Sequence, residues 1–244
     1  MKGLIRAIAI GVLIGAPILL FRMDQAKNGN IREVRKRIGP GLSSRLEKSG
    51  FSLGNTVFLR VFKEESVLEV WLESSKDLPN RLWHSYPIAK FSGTIGPKLR
   101  EGDRQAPEGF YSVNHKSLNP NSSFHLSFDV GYPNHYDQKR NRTGSHIMVH
   151  GGNVSIGCFA MTDPAIEEIY LIVEAALNKG QDSIPIHIFP FRFTEERMLK
   201  AEINKEIWLD FWKNLKVGYD LFEVNKSPPS HFSDRRGYVL GYES

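Results

Sequence analysis

The 244-residue sequence contains one cysteine, Cys158. That scarcity excludes an internal disulfide framework and leaves a zinc site short of thiolate ligands. Long apolar runs are scarce too. The uncharged stretch from Ala7 to Phe21 is short for a full membrane span, even when extended to Leu4. No internal repeat is present. A composition of 41% hydrophobic and 24% charged residues gives no sign of disorder or of collagen.

A basic excess is absent from the body of the chain. The formal charge is +5, but residues 1–27 carry Lys2, Arg6, Arg22 and Lys27 against Asp24. Residues 28–50 carry six basic groups against Glu33 and Glu47, so residues 51–244 are left slightly acidic, at −2. A general polyanion-binding surface, and with it nucleic acid as a partner, is not expected.

What is present begins with a leader. Residues 1–26 combine a short basic start with the uncharged run, as a secretory signal or an N-terminal membrane anchor does. A good cleavage site is missing, because Asp24-Gln25-Ala26 puts an acid where a small residue belongs. Arg22, Lys27, Arg32 and Arg35–Arg37 follow the run, which by the positive-inside rule opposes export of that side. Residues 27–54 read as a basic helical lead-in, broken at Gly39-Pro40-Gly41.

Strand signals follow. Val57–Phe62 and Val67–Leu72 predict a hairpin through Lys63–Ser66. Tyr86–Phe91, Phe110–Val113, the alternating Phe124–Phe128 and the apolar Ile147–Val149, ending at His150, predict further strands. A helix is predicted after Asp163 as cap, with Pro164 in the first turn and Gly180 as stop. Pro185–Phe189 returns to strand, with His187 and His125 expected to point away from the core. Leu199, Ile203, Ile207, Phe211 and Leu215 predict one helix over about Glu195–Leu215, with Trp208 and Trp212 near its packing stripe. The tail after Lys226 reads as irregular. The order of elements predicts an α+β fold, mainly β with flanking helices.

Cys158 lies in His150-Gly-Gly-Asn-Val-Ser-Ile-Gly-Cys158. A strand ending at a histidine, a glycine turn and then a cysteine can bring a nucleophile to a general base. A thiol of pKa about 8.5 needs such a base at neutral pH. Gly157 and Cys158 offer backbone amides to a tetrahedral oxyanion. Ser155 can hydrogen-bond within the turn and is a candidate substrate-binding residue, and a carbonyl of the Gly151-Gly152 turn can orient His150. A buried structural cysteine is the plain alternative. A zinc reading would gather His146, His150 and Cys158, but no compact ligand pair supports it, and no metal or other cofactor is expected.

At Ile147-Met-Val-His-Gly and Ser155-Ile-Gly-Cys158 the sequence resembles the L,D-transpeptidase catalytic domain of the YkuD type. Its YafK-like murein branch is matched further by the run Phe91–Tyr111, by Gly131-Tyr-Pro-Asn134, by Thr143-Gly-Ser and by Cys158-Phe-Ala-Met-Thr-Asp163. The resemblance covers roughly residues 55–195, and it implies the L,D-transpeptidase catalytic fold there, with residues 196–244 as a C-terminal helix and tail. It implies that Cys158 is the nucleophile and His150 the general base and acid. It also implies a thioester at the L-centre of meso-diaminopimelate in a peptidoglycan stem, resolved by an amine or by water. Peptidoglycan is then the partner, a wall-linked lipoprotein is a second one, and the compartment is the periplasm or cell envelope, which tilts the leader reading to export.

Two positions depart from the family pattern. Ile156 stands where the general signature has histidine, and Ala160 where many members carry the arginine associated with substrate anchoring. Arg104, Arg140, Arg142 and Lys98 are the candidate carboxylate binders, since guanidinium groups grip carboxylates at two points. The polar segment Gly96–Phe110 is expected to loop near the cleft, and Tyr132 and Tyr136 either line a groove or pack. The competing readings are an L,D-endopeptidase that releases lipoprotein, a wall-binding module without catalysis, and a papain-like protease. The last would place its cysteine early and its histidine far downstream, the reverse of the order here.

Overall fold

The computed structural model describes residues 31–75, 78–234 and 236–242, so the leader lies outside the described residues. Among the described residues, two five-stranded sheets, a two-stranded one and five helices, the short α2 (His135–Lys139) included, make an α+β fold.

The first sheet is built from β1 (Thr56–Phe62), β2 (Val67–Glu73), β3 (Arg81–Pro87), β5 (Gly109–Val113) and β10 (Ile184–Phe189), in the order β3-β2-β1-β10-β5. β1 and β10 run parallel and the other pairings are antiparallel. From Val57 onward every residue of β1 is buried, because the strand is covered on both faces. Val57, Leu59 and Val61 enter the main core, while Phe58 and Phe62 face the aromatic clusters under α5 (Leu209–Asn225). Arg60, on that second face, is buried in an ion pair with Glu69.

The second sheet holds the short strands β4 (Lys90–Phe91), β6 (Leu118–Ser122), β7 (His125–Asp129), β8 (Met148–His150) and β9 (Phe159–Ala160), in the order β4-β9-β8-β7-β6. β8 and β9 are parallel and the rest antiparallel. Side chains alternate across a strand. Leu126, Phe128, Val149 and Phe159 accordingly enter the main core, with the helix α3 (Asp163–Asn178) supplying Ile166, Ile169 and Val173. Ser127, Met148, His150 and Cys158 line a cavity on the opposite face.

Several expectations are corrected. The lead-in is one helix, α1 (Ile31–Lys48), continuous through Pro40. Burial of Val34, Leu42 and Leu46 against the main core outweighs the local break. Arg35, Arg37 and Arg45 pair with Glu174, Glu167 and Glu168 of α3. The expected helix over Glu195–Leu215 is two, α4 (Glu195–Ile203) and α5, parted by a turn in which Lys205 adopts φ +49°. The apolar interval of four drifts about 40° around a helix at each step, so it does not keep to one face. Ile203 and Ile207 are 70% and 86% exposed, while Met198, Ala201, Phe211, Trp212 and Leu215 are buried. The tail is not irregular: β11 (Ser230–Ser233) and β12 (Tyr238–Gly241) form a hairpin packed on α5 through Tyr238 and Leu240.

His187 is buried rather than outward, edge-on to Phe58 and Phe110 at 4.6 Å each. His125 is also buried, with Nε2 2.7 Å from Glu167 of α3. Thr162, not Asp163, precedes the first turn of α3.

Candidate active site

β8 and β9 lie side by side with Val149 opposite Phe159 and His150 opposite Ala160. The residue before Phe159 is Cys158, so thiol and imidazole emerge on one face, a diagonal step apart. Both line a cavity of about 560 Å³. The Met148 N–H donates to Cys158 Sγ at 3.4 Å, and the thiol points to the His146 carbonyl at 3.7 Å.

His150 Nδ1 lies 2.6 Å from Gly151 O. A carbonyl only accepts, so Nδ1 carries the proton and Nε2 is left bare, the tautomer a general base requires. Gly151 is fixed in turn. Its N–H donates to the carbonyls of Phe124 and Leu126, at 3.0 and 3.1 Å. A Cβ there would meet Asp163 Oδ1 at 2.6 Å and Phe124 O at 2.8 Å, so only glycine fits. Asp163 Oδ1 also accepts the Gly152 N–H at 2.7 Å, which ties the turn to the start of α3. The Phe124 ring lies over the imidazole with centroids 4.9 Å apart.

Burial pushes the Cys158 thiol up, and the Asp129 carboxylate adds to this; the Met148 N–H and Lys98 oppose it. Burial also lowers His150, against the pull of its bond to Gly151 O. Both shifts favour a neutral thiol beside a neutral imidazole. The proton transfer is therefore left to the encounter with substrate, where neutral imidazole is the competent base.

Ser155 lines the cavity, and its hydroxyl donates to the Cys158 carbonyl at 2.7 Å. Gly157 takes φ +131°, a region favouring glycine, and its N–H meets Ser155 Oγ at 3.3 Å. The three candidate arginines do not line the cavity. Arg142 is buried in an ion pair with Asp137, Arg140 lies 3.6 Å above the Tyr136 ring, and Arg104 is exposed. Lys98 is the lining cation; its Nζ donates to Asp103 Oδ1 at 2.6 Å and to Arg100 O at 3.0 Å. It is brought there by the Gly96–Phe110 segment, together with Glu101 and Gly102. Tyr132 and Tyr136 are buried packing residues, Tyr136 stacked between Phe211 and Tyr238. Among the described residues no group of three His, Cys, Asp or Glu side chains is placed to hold a metal ion.

The sequence reading missed Phe124, Ser127 and Val154 as lining residues. For Ser127 the signal is the sheet pairing, which a single strand does not display; Phe124 and Val154 lie in the turn before β7 and the loop after β8.

The family model for the L,D-transpeptidase catalytic domain, YkuD, matches residues 77–188. A provisionally named L,D-transpeptidase of Escherichia coli K12, YafK, is 42% identical over 178 residues, spanning 73% of this chain and 71% of that protein. This chain belongs to the L,D-transpeptidase family. The same identity and coverage hold for YafK of E. coli O157:H7. Among solved structures, a variant of the helical cell shape determining protein Pgp2 from Campylobacter jejuni gives a TM-score of 0.45 at 19% identity. That match covers 75% of this chain and 64% of Pgp2. Bd1075 of Bdellovibrio bacteriovorus gives 0.38 at 20% identity, covering 70% and 61%. The chain thus spans less than two thirds of either solved structure. His150 and Cys158 both fall inside the matched span and both line the cavity.

Proposed function

We propose that this L,D-transpeptidase family member is a cysteine acyltransferase acting on peptidoglycan stem peptides in the periplasm or cell envelope. The observation that carries the reading is the pairing of β8 with β9, which sets Cys158 and the bare Nε2 of His150 on one wall of one cavity.

In the proposed reaction His150 Nε2 takes the Sγ proton as Sγ attacks the L-centre carbonyl of meso-diaminopimelate. The backbone amides around Gly157 and Cys158 receive the oxyanion, for which the long Gly157-to-Ser155 bond is exchanged. The C–N bond to D-alanine breaks, His150 returns the proton to the leaving amine, and a thioester remains on Cys158. A second amine forms a new amide, or water gives the free acid. Attack on a lipoprotein–diaminopimelate bond by the same steps releases the lipoprotein. Lys98 is the buried cation closest to hand for a substrate carboxylate.

The test is mass spectrometry of products from the purified protein with tetrapeptide muropeptides and with lipoprotein-bearing muropeptides, beside Cys158→Ala. Dimers joined between two diaminopimelates mean transpeptidation. Release of a lipoprotein fragment without dimers means endopeptidase action. Absence of any Cys158-dependent product removes the proposal and leaves a wall-binding module.

A further inference from the structure

β7 pairs with β8 so that Ser127 stands directly opposite His150. Directly opposed residues of an antiparallel pair share a face, with Cβ atoms about 4.5–5.5 Å apart. His150 is therefore flanked on the cavity wall by Ser127 from β7 and by Cys158 from β9. Ser127 is 1% exposed and lines the cavity. Its Oγ has no hydrogen-bond partner among the described residues.

Such a hydroxyl is unusual, because buried polar side chains are nearly always partnered. The other lining serines differ. Ser155 Oγ donates to the Cys158 carbonyl, Ser122 Oγ accepts the Phe124 N–H at 3.1 Å, and Ser145 is exposed. Ser127 alone among these four is both buried and unengaged. An alanine of nearly the same shape would fill the position without an unsatisfied group, so packing does not account for the hydroxyl.

We propose that Ser127 is a catalytic residue of the second half-reaction, holding the acyl acceptor against His150; the assignment rests on the thioester chemistry proposed above. The attacking amine, or water, hydrogen-bonds to Ser127 Oγ through one hydrogen and presents another to His150 Nε2. Its lone pair forms the bond to the acyl carbon while Nε2 takes that proton. The C–S bond breaks, and the Cys158 sulfur recovers the proton from Nε2–H. The first half-reaction does not need Ser127, since there Nε2 takes its proton directly from Sγ.

Ser127→Ala separates the two halves. The full chain is mixed with a tetrapeptide muropeptide and quenched at intervals. The thioester on Cys158 is followed by intact-protein mass, and released product by liquid chromatography. Acylation is expected to stay within about twofold of wild type, while deacylation slows by about tenfold, the worth of one neutral hydrogen bond. The adduct then accumulates. The melting temperature of Ser127→Ala is expected to be unchanged or raised, and Ser127→Thr, which keeps a hydroxyl, to recover part of the rate. Deacylation of Ser127→Ala within twofold of wild type overturns the assignment. So does a parallel loss of both half-reactions with a lowered melting temperature, which would mark Ser127 as structural. Absence of both a Cys158-dependent adduct and a Cys158-dependent product from wild type and from Ser127→Ala removes the thioester chemistry, and Ser127's role with it.

Discussion

His150 Nδ1 rests 2.6 Å from the carbonyl oxygen of Gly151, the next residue in the chain. A carbonyl orients the ring without the full negative charge that a carboxylate would offer an imidazolium. Burial lowers His150 against the modest pull of that bond, and burial, with Asp129 adding, raises Cys158.

The first prediction concerns that pair. Alkylation of Cys158 by iodoacetamide is expected to keep rising with pH beyond the ordinary thiol value of about 8.5, with no plateau near neutrality. Substrate turnover is expected to persist as pH falls to 6.5 and below, and to fade only when the imidazole charges. An alkylation plateau between about pH 6 and 7 would reveal a preformed thiolate–imidazolium pair and contradict this picture.

A second prediction concerns the base of the cavity loop. Lys63 and Glu108 are fully buried and paired at 2.9 Å. Lys63 Nζ also donates to Gly96 O and Ala106 O, and Glu108 Oε2 accepts the Trp212 indole N–H. Burial lowers the Lys63 pKa, with Glu108 opposing. Glu108→Gln is expected to destabilise the fold by about 3–5 kcal/mol in urea denaturation, because it leaves the lysine charge buried without a counterion. Lys63→Met combined with Glu108→Gln is expected to cost less than Glu108→Gln alone. Equal costs would show that the ion pair is not the determinant.

A third prediction is acid sensitivity centred on His187. Neither ring nitrogen has a partner among the described residues, and burial, with smaller contributions from His231 and Arg60, holds its pKa well below 6.5. Below pH 6.5 the unfolded chain takes up a proton that the folded protein refuses. Stability is complete above that pH and falls beneath it, by up to about 1.4 kcal/mol per pH unit from this group. His187→Phe is expected to flatten the acid limb between pH 6.5 and 5 in denaturation curves. His150, shifted in the same direction, keeps some slope in place. An unchanged limb would mean that His187 is not buried neutral.

Local signals in the sequence reach more of the candidate site than of its surroundings. Cys158, His150, the strand between Ile147 and His150 and the helix after Thr162 follow from local signals: a lone thiol, a glycine turn, β-branched residues, and Pro164. Ser127 was visible only as the polar member of an alternating strand, because its position opposite His150 depends on a register that two separate strands decide together. The arginine candidates failed to reach the cavity for a similar reason. Arg142 is consumed by Asp137, five residues earlier, just before the chain reaches the cavity at Gly144. Pro40 and the Leu199–Leu215 row misled in opposite directions. In the first, tertiary burial held a helix together across a breaker; in the second, an apolar row carried residues that the fold leaves in water.

The alternation of the second sheet has a consequence for how such a site can vary. A slip of β8 by one residue against β7 would exchange Val149 for His150, driving an imidazole into the core and an isopropyl group into the cavity. No intermediate arrangement exists, since the period is two. Within β7 and β8, change can therefore enter by replacement, while a single inserted or deleted residue has to be taken up by a bulge. The loop between β8 and β9 lies outside both strands, and between its anchors at Gly152 and Ser155, at Asn153 and Val154, length itself can drift.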